Sequence, residues 1–577
     1  MQNNLRQYVP YCAALALSLF IATVVLWPIP FQSNEYLVGH PGNDSWNHVW
    51  GYWWVYDSLM NSEWPIFVDL LAFPKGGTLY FIDTIQAIIS LPIQILFGPA
   101  VAFNLIIWFQ LAFCGFSAWL LSWKVSGSWK TSLIALVLYE LSPHLLGQIY
   151  NGISETVCAG WFPLTLWALV SVMTKPNIKN SCLLIFCSVF CILTSWYYGL
   201  FTAIAASIYL ICAAWKEGWF YQWKLIFKYL ICSTIGILVL VLPLFMTFQV
   251  SLGVDDALVK RDPEFVEQSL LNHNITDVAA FFSLSKQPSP DLFALYGEQL
   301  IIVIYLGWIG IFLACYSILK ARQNRIIFPW IWIGIVFFLF SLGPYLYFNG
   351  GYVLLFEKRL PLPFLVLYKA VPIFDRISHP FRFVMGVQLA LAILSAEGLR
   401  RFLHRKNEHM KMIFVSAFSA AIYLEYVLFS PAHLPVPVAS AKIPEVYNHI
   451  EEGAVLDLPI SLPNLERAVY VWYQTKHGEP VPWSLNDPMP KTLLDNKFTK
   501  MLLLLEATRA HHLPPALPEL DMVVGVRALY RQGYRYIVMH EDLYPTFKKT
   551  QVGEVLDVFI GQPQIYGNHR LYELPEI

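Results

Sequence analysis

Apolar runs long enough to cross a hydrocarbon core recur through the first three quarters of this chain, and no other feature narrows its fold so far. They fall at about 11–29, 100–122, 131–148, 156–173, 181–195, 199–214, 226–249, 298–319, 326–344, 380–399 and 411–430. A helix needs roughly 20 such residues to span about 30 Å of hydrocarbon, so the pattern predicts a polytopic α-helical membrane protein with about 11 transmembrane helices. Only 13% of the residues are charged, against about 25% in a soluble domain. The net charge of -1 offers no basic excess for a nucleic-acid partner.

The first run follows Arg6 and ends in Trp27-Pro28-Ile29-Pro30-Phe31, which is bulky throughout. No small-residue cleavage site is present there, so it reads as an uncleaved span. The runs 181–195 and 199–214 are short and meet at Ser195-Trp196-Tyr197-Tyr198-Gly199, which is interfacial in character. The nine cysteines all lie in the apolar part. With no histidine or carboxylate beside Cys182, Cys187 and Cys191, they read as small packing residues and not as ligands.

Lysine and arginine collect in alternate loops: Lys124 and Lys130; Lys175 and Lys179; Lys216, Lys224 and Lys228; Lys320, Arg322 and Arg325; then Arg400, Arg401, Arg405, Lys406 and Lys411. Basic short loops stay cytoplasmic, which predicts a cytoplasmic N-terminus and an extracytoplasmic tail. The opposite side then holds the long segments 30–99, 250–297, 345–379 and everything after Pro431. Long loops in compact proteins are usually functional, so the working surface is expected there. Three regions follow: a transmembrane domain over 1–430 with a large first external loop at 30–99, a Pro-rich linker at 431–445, and an α/β domain at 446–577.

In the first loop, residues 46–60 carry Trp46, Trp50, Trp53, Trp54 and Tyr56, and 84–97 is apolar but short. Both predict helices lying at the membrane interface, with tryptophans at headgroup depth. A transmembrane hairpin is the alternative for 84–97, but it would put the basic loops outside. In the tail, 454–459, 534–539 and 570–574 predict strands, and 465–476, 493–509 and 521–532 predict helices.

The sharpest cluster of chemistry-bearing residues is His40-Pro41-Gly42-Asn43-Asp44-Ser45-Trp46-Asn47-His48, directly after the first span. Asp44 and His48 share one face of a helix that begins at Asp44, where Asp44 serves either as a helix cap or as a functional group. Asp83 and Glu155 lie in external segments as solvated charges or as lining of a site, and Glu140 lies near the outer end of a span where it could reach water. His540-Glu541-Asp542 lacks a spaced second ligand set, so no metal is assigned to it. Asn43-Asp44-Ser45 and Asn274-Ile275-Thr276 match the three-residue glycosylation pattern.

Asn43-Asp44-Ser45-Trp46 with Trp50 and Trp53, Phe73-Pro74-Lys75-Gly76-Gly77-Thr78-Leu79, and Ser142-Pro143-His144 with Gln148 resemble an uncharacterised bacterial branch of the GT-C superfamily of polyprenyl-phosphate-sugar-dependent membrane glycosyltransferases. The similarity extends over nearly the whole chain, including 455–459 of the tail; the paired acids of several GT-C families are absent at Asp44, which Asn43 precedes. The resemblance implies a polyprenyl-phosphate-linked sugar donor and a glycan, lipid or protein acceptor in the layer outside a bacterial inner membrane. It implies Asp44 as general base, in a direct displacement that inverts the anomeric centre and requires no cofactor, with a divalent metal left open. Arg376 and Arg382, bracketing Ile377-Ser378-His379-Pro380-Phe381, would hold the donor phosphate, or else snorkel to headgroups. His48, Asp83 and Glu155 would line the substrate site. A lipid or polysaccharide flippase and a nonenzymatic envelope scaffold are the competing readings, but charges near the middle of several spans, which a transporter requires, are sparse.

Overall fold

A computed structural model of the chain describes residues 7–217, 223–258, 263–283, 298–320, 326–372, 374–429, 434–485, 490–507 and 522–576. Arg6, Arg322 and Arg325 of the charge pattern, and Pro431 at the start of the linker, lie outside them.

Among the described residues, seven helices are long and apolar enough to cross a membrane, and five shorter apolar helices, Val9–Val25, Thr84–Phe97, Ile178–Thr194, Trp308–Lys320 and Phe328–Ser341, accompany them. Burial sorts the long ones. Leu133–Tyr150 and Pro380–Phe402 are wholly enclosed by protein, whereas Trp223–Ser251 turns its apolar surface outward. Pro380–Phe402 packs against Trp308–Lys320, Phe328–Ser341 and Leu133–Glu140, which makes it the axis of the bundle. An apolar exterior around an enclosed core is the arrangement that lipid stabilises. Two basic loops meet on one face, where Lys130 and Lys411 both pair with Glu408 at 2.8 and 2.6 Å.

Three sequence expectations about the bundle change. The run 298–319 is helical only over Trp308–Lys320, and 300–307 threads the core without regular secondary structure. The Leu306 amide donates to the Phe281 carbonyl at 3.1 Å, and side chains of other elements serve further backbone groups. Asn151 brackets Ile301 with bonds of 2.7 and 2.9 Å, His144 Nδ1 meets the Val303 carbonyl at 2.9 Å, and the Tyr426 hydroxyl donates to the Leu306 carbonyl at 3.0 Å. Glu425 then accepts from the amides of Trp308 and Ile309 at 2.5 and 3.2 Å and from the Tyr305 hydroxyl at 2.6 Å. Non-helical backbone at membrane depth needs such partners. Glu140 does not reach water: it is fully buried against Gly115, where a Cβ would run into its carboxylate.

The third change concerns the tryptophans of the first loop. The helix Ser45–Met60 forms where 46–60 predicted it, but Trp46, Trp50 and Trp54 are buried, Trp50 completely. They pack against protein and do not face outward. Thr84–Phe97 keeps the expected polarity for an apolar surrounding: Gln86, Ser90 and Gln94 face inward, and Ile89, Ile95, Leu96 and Phe97 face out.

The tail is an α/β unit. Its sheet runs in the order Gln564–Tyr566, His569–Glu573, Tyr534–His540, Ala454–Leu458, with only the last pair parallel. The three predicted strands are present, and so are helices at Val469–His477, Lys497–Ala507 and Met522–Gln532. The predicted helix ends at 508–509 and 521 lie outside the described residues. Thr546–Phe559 and Gln564–Tyr566 are additional elements; Gly553 interrupts that helix's apolar pattern, and Lys548 stands on its buried face with Val552 and Leu556.

The linker is not a free connection. Val438–Ser440 pairs antiparallel with Tyr36–Val38 at the start of the first loop, in the register Tyr36 to Ser440. The Trp50 indole donates to Gln474 Oε1 at 2.8 Å, and Gln474 Nε2 donates to the Leu70 carbonyl at 2.7 Å. The tail thus rests on the loop that carries Asp44.

Candidate functional site

The turn before Ser45–Met60 is fixed from both sides. The Gly39 amide donates to the Pro437 carbonyl at 2.9 Å, and the Asp44 amide donates to the Asn151 carbonyl at 3.0 Å. Ser45 Oγ donates to the Val38 carbonyl at 2.9 Å, and the Trp46 indole to the Pro41 carbonyl at 2.7 Å. Gly152, with φ of +74°, lets the 151–154 turn come close, since a Cβ there would collide with Ser45. This contact delivers Ser154 and Glu155 to the helix start.

Asp44 stands at the N-cap position, yet its side chain makes no capping bond. Its Oδ1 instead accepts from Asn47 Nδ2 at 2.8 Å, and Oδ2 lies 4.0 Å from His48 Nε2, one turn along the same face. The other ring nitrogen, Nδ1, meets Asp83 Oδ2 at 2.6 Å. Ser154 Oγ donates to the same Asp83 oxygen and lies 3.0 Å from His48 Nδ1. Glu155 Oε2 is 3.7 Å from His48 Nε2, and Glu155 Oε1 accepts from Arg382 Nη1 at 3.3 Å. The Arg382 guanidinium lies 4.7 Å from the ring centre of Tyr197, within reach of a cation–π contact.

Two bases, three acids and an aromatic face thus form one cluster. Burial pulls the His48 imidazole down, but the charge and hydrogen bond of Asp83, joined by Asp44 and Glu155, outweigh it and lift its pKa to about 9. His48 is therefore a cation at neutral pH. The acids differ in access: side-chain exposure is 14% for Asp44, 6% for Glu155 and 0% for Asp83. Asp44 is the most exposed of the three. Asp83 Oδ1 and Arg382 Nε are buried without a hydrogen-bond partner among the described residues.

Of the residues singled out from sequence, Asp44, His48, Asp83, Glu155 and Arg382 come together. Arg376 does not: it is exposed, and no described contact joins it to the cluster. Asp83 and Glu155 are buried members, not solvated loop charges. Asn43 and Asn274 are buried at 0% and 2% exposure, so neither glycosylation pattern presents an accessible amide. Ser154, Tyr197 and Asn151 escaped sequence reasoning. An uncharged side chain gives no signal until the fold sets it against a charge, though Ser154 stands beside Glu155 and Tyr197 in the interfacial Trp-Tyr-Tyr run.

The donor atoms of His48, Asp83 and Glu155 lie within 4.8 Å of one another. One imidazole, two carboxylates and the orphaned Asp83 oxygen fit a divalent cation, which would displace the His48 proton.

The chain is thus a polytopic membrane protein with an α/β tail, and its fold is similar to that of solved GT-C glycosyltransferases. The match to the arabinofuranosyltransferase AftD from mycobacteria has a TM-score of 0.54 at 13% identity and covers 99% of this chain but 40% of that one. The match to ArnT from Cupriavidus metallidurans, solved bound to undecaprenyl phosphate, has a TM-score of 0.50 at 12% identity and covers 99% and 98% of the two chains. These neighbours are GT-C glycosyltransferases, and at such identities the likeness is one of fold. No protein-family model matches the chain, and no curated protein does.

Proposed function

We propose that this chain transfers a sugar from a polyprenyl-phosphate donor to an acceptor hydroxyl or amide outside the cytoplasm, with inversion and with Asp44 as general base. The observation that carries the reading is the buried charge cluster with Asp44 at its accessible edge. ArnT of the same fold, bound to undecaprenyl phosphate, supports the donor class.

A sugar phosphate already has an anionic leaving group, so no general acid is needed. The acceptor atom bonds to the anomeric carbon as the bond from that carbon to the phosphate oxygen breaks. Its electron pair leaves with the phosphate, and the acceptor's proton goes to Asp44 Oδ2. Asn47 holds Asp44 Oδ1, which leaves Oδ2 toward His48. His48 stabilises the ionised base across 4.0 Å. Arg382, with its unpartnered Nε and its cation–π contact to Tyr197, would hold a phosphate oxygen, and Glu155 keeps it in position. Asp83 holds the His48 ring. The exposed Arg376 is at most an outer contact for the lipid phosphate. A divalent cation, when bound by His48, Asp83 and Glu155, would supply positive charge toward the leaving phosphate.

The test is sugar transfer from polyprenyl-phosphate donors by the purified protein in nanodiscs. Asp44→Asn keeps shape and removes basicity, so transfer should fall about 10²–10⁴-fold with insertion intact. Near-normal turnover by that variant would remove Asp44 as base. No transfer by the unmodified protein across a panel of donors would overturn the enzyme reading in favour of a flippase.

A further inference from the structure

A second cluster lies in the tail, where two antiparallel neighbouring strands bring two histidines face to face. His540 ends its strand and is paired in register with His569. Their Nδ1 atoms are 3.1 Å apart. Asp542 follows in the turn Glu541–Leu543, and the donor atoms of His540, Asp542 and His569 all lie within 4.8 Å of one another.

The surroundings of His540 decide which nitrogen is free to bind. Its Nε2 lies 3.3 Å from Asp457 Oδ1 and 3.0 Å from the Tyr447 hydroxyl, which itself donates to the same carboxylate oxygen. Asp457 is fully buried. A buried carboxylate demands donors, so the His540 proton resides on Nε2 and a lone pair remains on Nδ1, aimed at His569. A carboxylate behind the far nitrogen of a histidine is the arrangement that orients metal-binding imidazoles. The ring is also stacked on Tyr470 at 5.3 Å. The turn is held in place as well: Glu541 pairs with Lys549 at 2.6 Å and with Arg570, and its amide donates to the Asn568 carbonyl at 2.9 Å. Asp542 is exposed beside the pair, leaving room for water.

Two imidazole nitrogens on a tetrahedral metal, each at about 2.0–2.1 Å, stand roughly 3.3–3.4 Å apart. The observed gap is close to that. We propose that His540 Nδ1, His569 Nδ1 and an Asp542 oxygen form a site for a zinc-type divalent metal, with water completing the shell and Asp457 orienting His540. Two imidazoles and one carboxylate select a borderline ion over Mg2+, which prefers oxygen alone. Such a metal would clamp the Glu541–Leu543 turn to the end of the sheet. The site is separate from the Asp44 cluster and does not depend on the activity proposed for it.

The experiment uses the full chain in detergent, without a histidine tag, stripped of metal and titrated with Zn2+ against a chromophoric chelator. One equivalent should bind tightly and persist in Asp83→Asn, which disables the other cluster. His569→Gln should weaken that equivalent roughly 100-fold or more, and Asp457→Asn about 10–100-fold. Asp542→Asn, at an exposed position, should also weaken it, and provides a variant whose folding is not at stake. Zn2+ should protect His569 from carbethoxylation, read by mass spectrometry. Equal Zn2+ stoichiometry and affinity in the unmodified chain and in His569→Gln, or labelling of His569 unaffected by Zn2+, would reduce the contact to an ordinary histidine–histidine hydrogen bond and overturn the site. Displacement of Zn2+ by equimolar Mg2+ would overturn the metal class.

Discussion

At neutral pH, His48 carries a proton because Asp83 holds it, and this makes a pH signature. The folded pKa of about 9 lies above the ordinary 6.5, so the pair's contribution to stability is complete below about 6.5 and is lost as pH rises through about 9. A shift of that size corresponds to something on the order of 3 kcal/mol. Melting of the unmodified protein in detergent should therefore drop between pH 6.5 and 9 more steeply than that of Asp83→Asn, whose His48 has lost its main partner. Parallel pH profiles would mean that Asp83 does not set the charge of His48. The charged members of this cluster were legible in the chain: Asp44 and His48 from their spacing of one helical turn, and Asp83, Glu155 and Arg382 as charges flanking apolar runs. The contacts beyond that pair were not, because Asp83, Glu155 and Arg382 come from three separate elements. His569 was invisible for a related reason: it meets His540 only across a strand pair.

Among the elements, the irregular segment before Trp308–Lys320 is one that hydropathy misassigned. A buried irregular segment and a buried helix are equally apolar, and the side chains that replace the missing helical hydrogen bonds lie far off in sequence, at His144, Asn151, Glu425 and Tyr426. Glu425 has the largest share, serving two amides and a hydroxyl. Glu425→Ala is expected to cost about 2–4 kcal/mol, seen as an earlier thermal transition in detergent, while Glu425→Gln retains an acceptor and should lose less. Equal melting of Glu425→Ala and the unmodified protein would show the helix start to be satisfied otherwise. The contact between tail and first loop is open to a similar test. A double-mutant cycle on Trp50→Phe and Gln474→Leu should return a coupling of roughly 1 kcal/mol, and additivity would deny the bond.

For the molecule as a whole, the alternation of basic loops predicts that a reporter joined after Pro437 is active only outside the cytoplasm and one at Gln323 only inside. Reversed signals would move the Asp44 cluster to the cytoplasmic face. A chain ended at residue 430 loses both the strand that pairs with Tyr36–Val38 and the partner of Trp50. Transfer by such a chain should fall about 10-fold or further even though every proposed site residue is retained, because loosening of the turn that aims Asp44 costs orientation. Full transfer would show the tail to be dispensable. The same strand pairing governs when the site comes into being. Residues 36–38 leave the ribosome near the beginning of synthesis, but their partners at 438–440 follow only after the last apolar helix, and Trp50 waits for a glutamine 424 residues downstream. The turn bearing Asp44 therefore stays unfinished throughout membrane insertion, so a partly made chain has all its spans in place before it has a working centre.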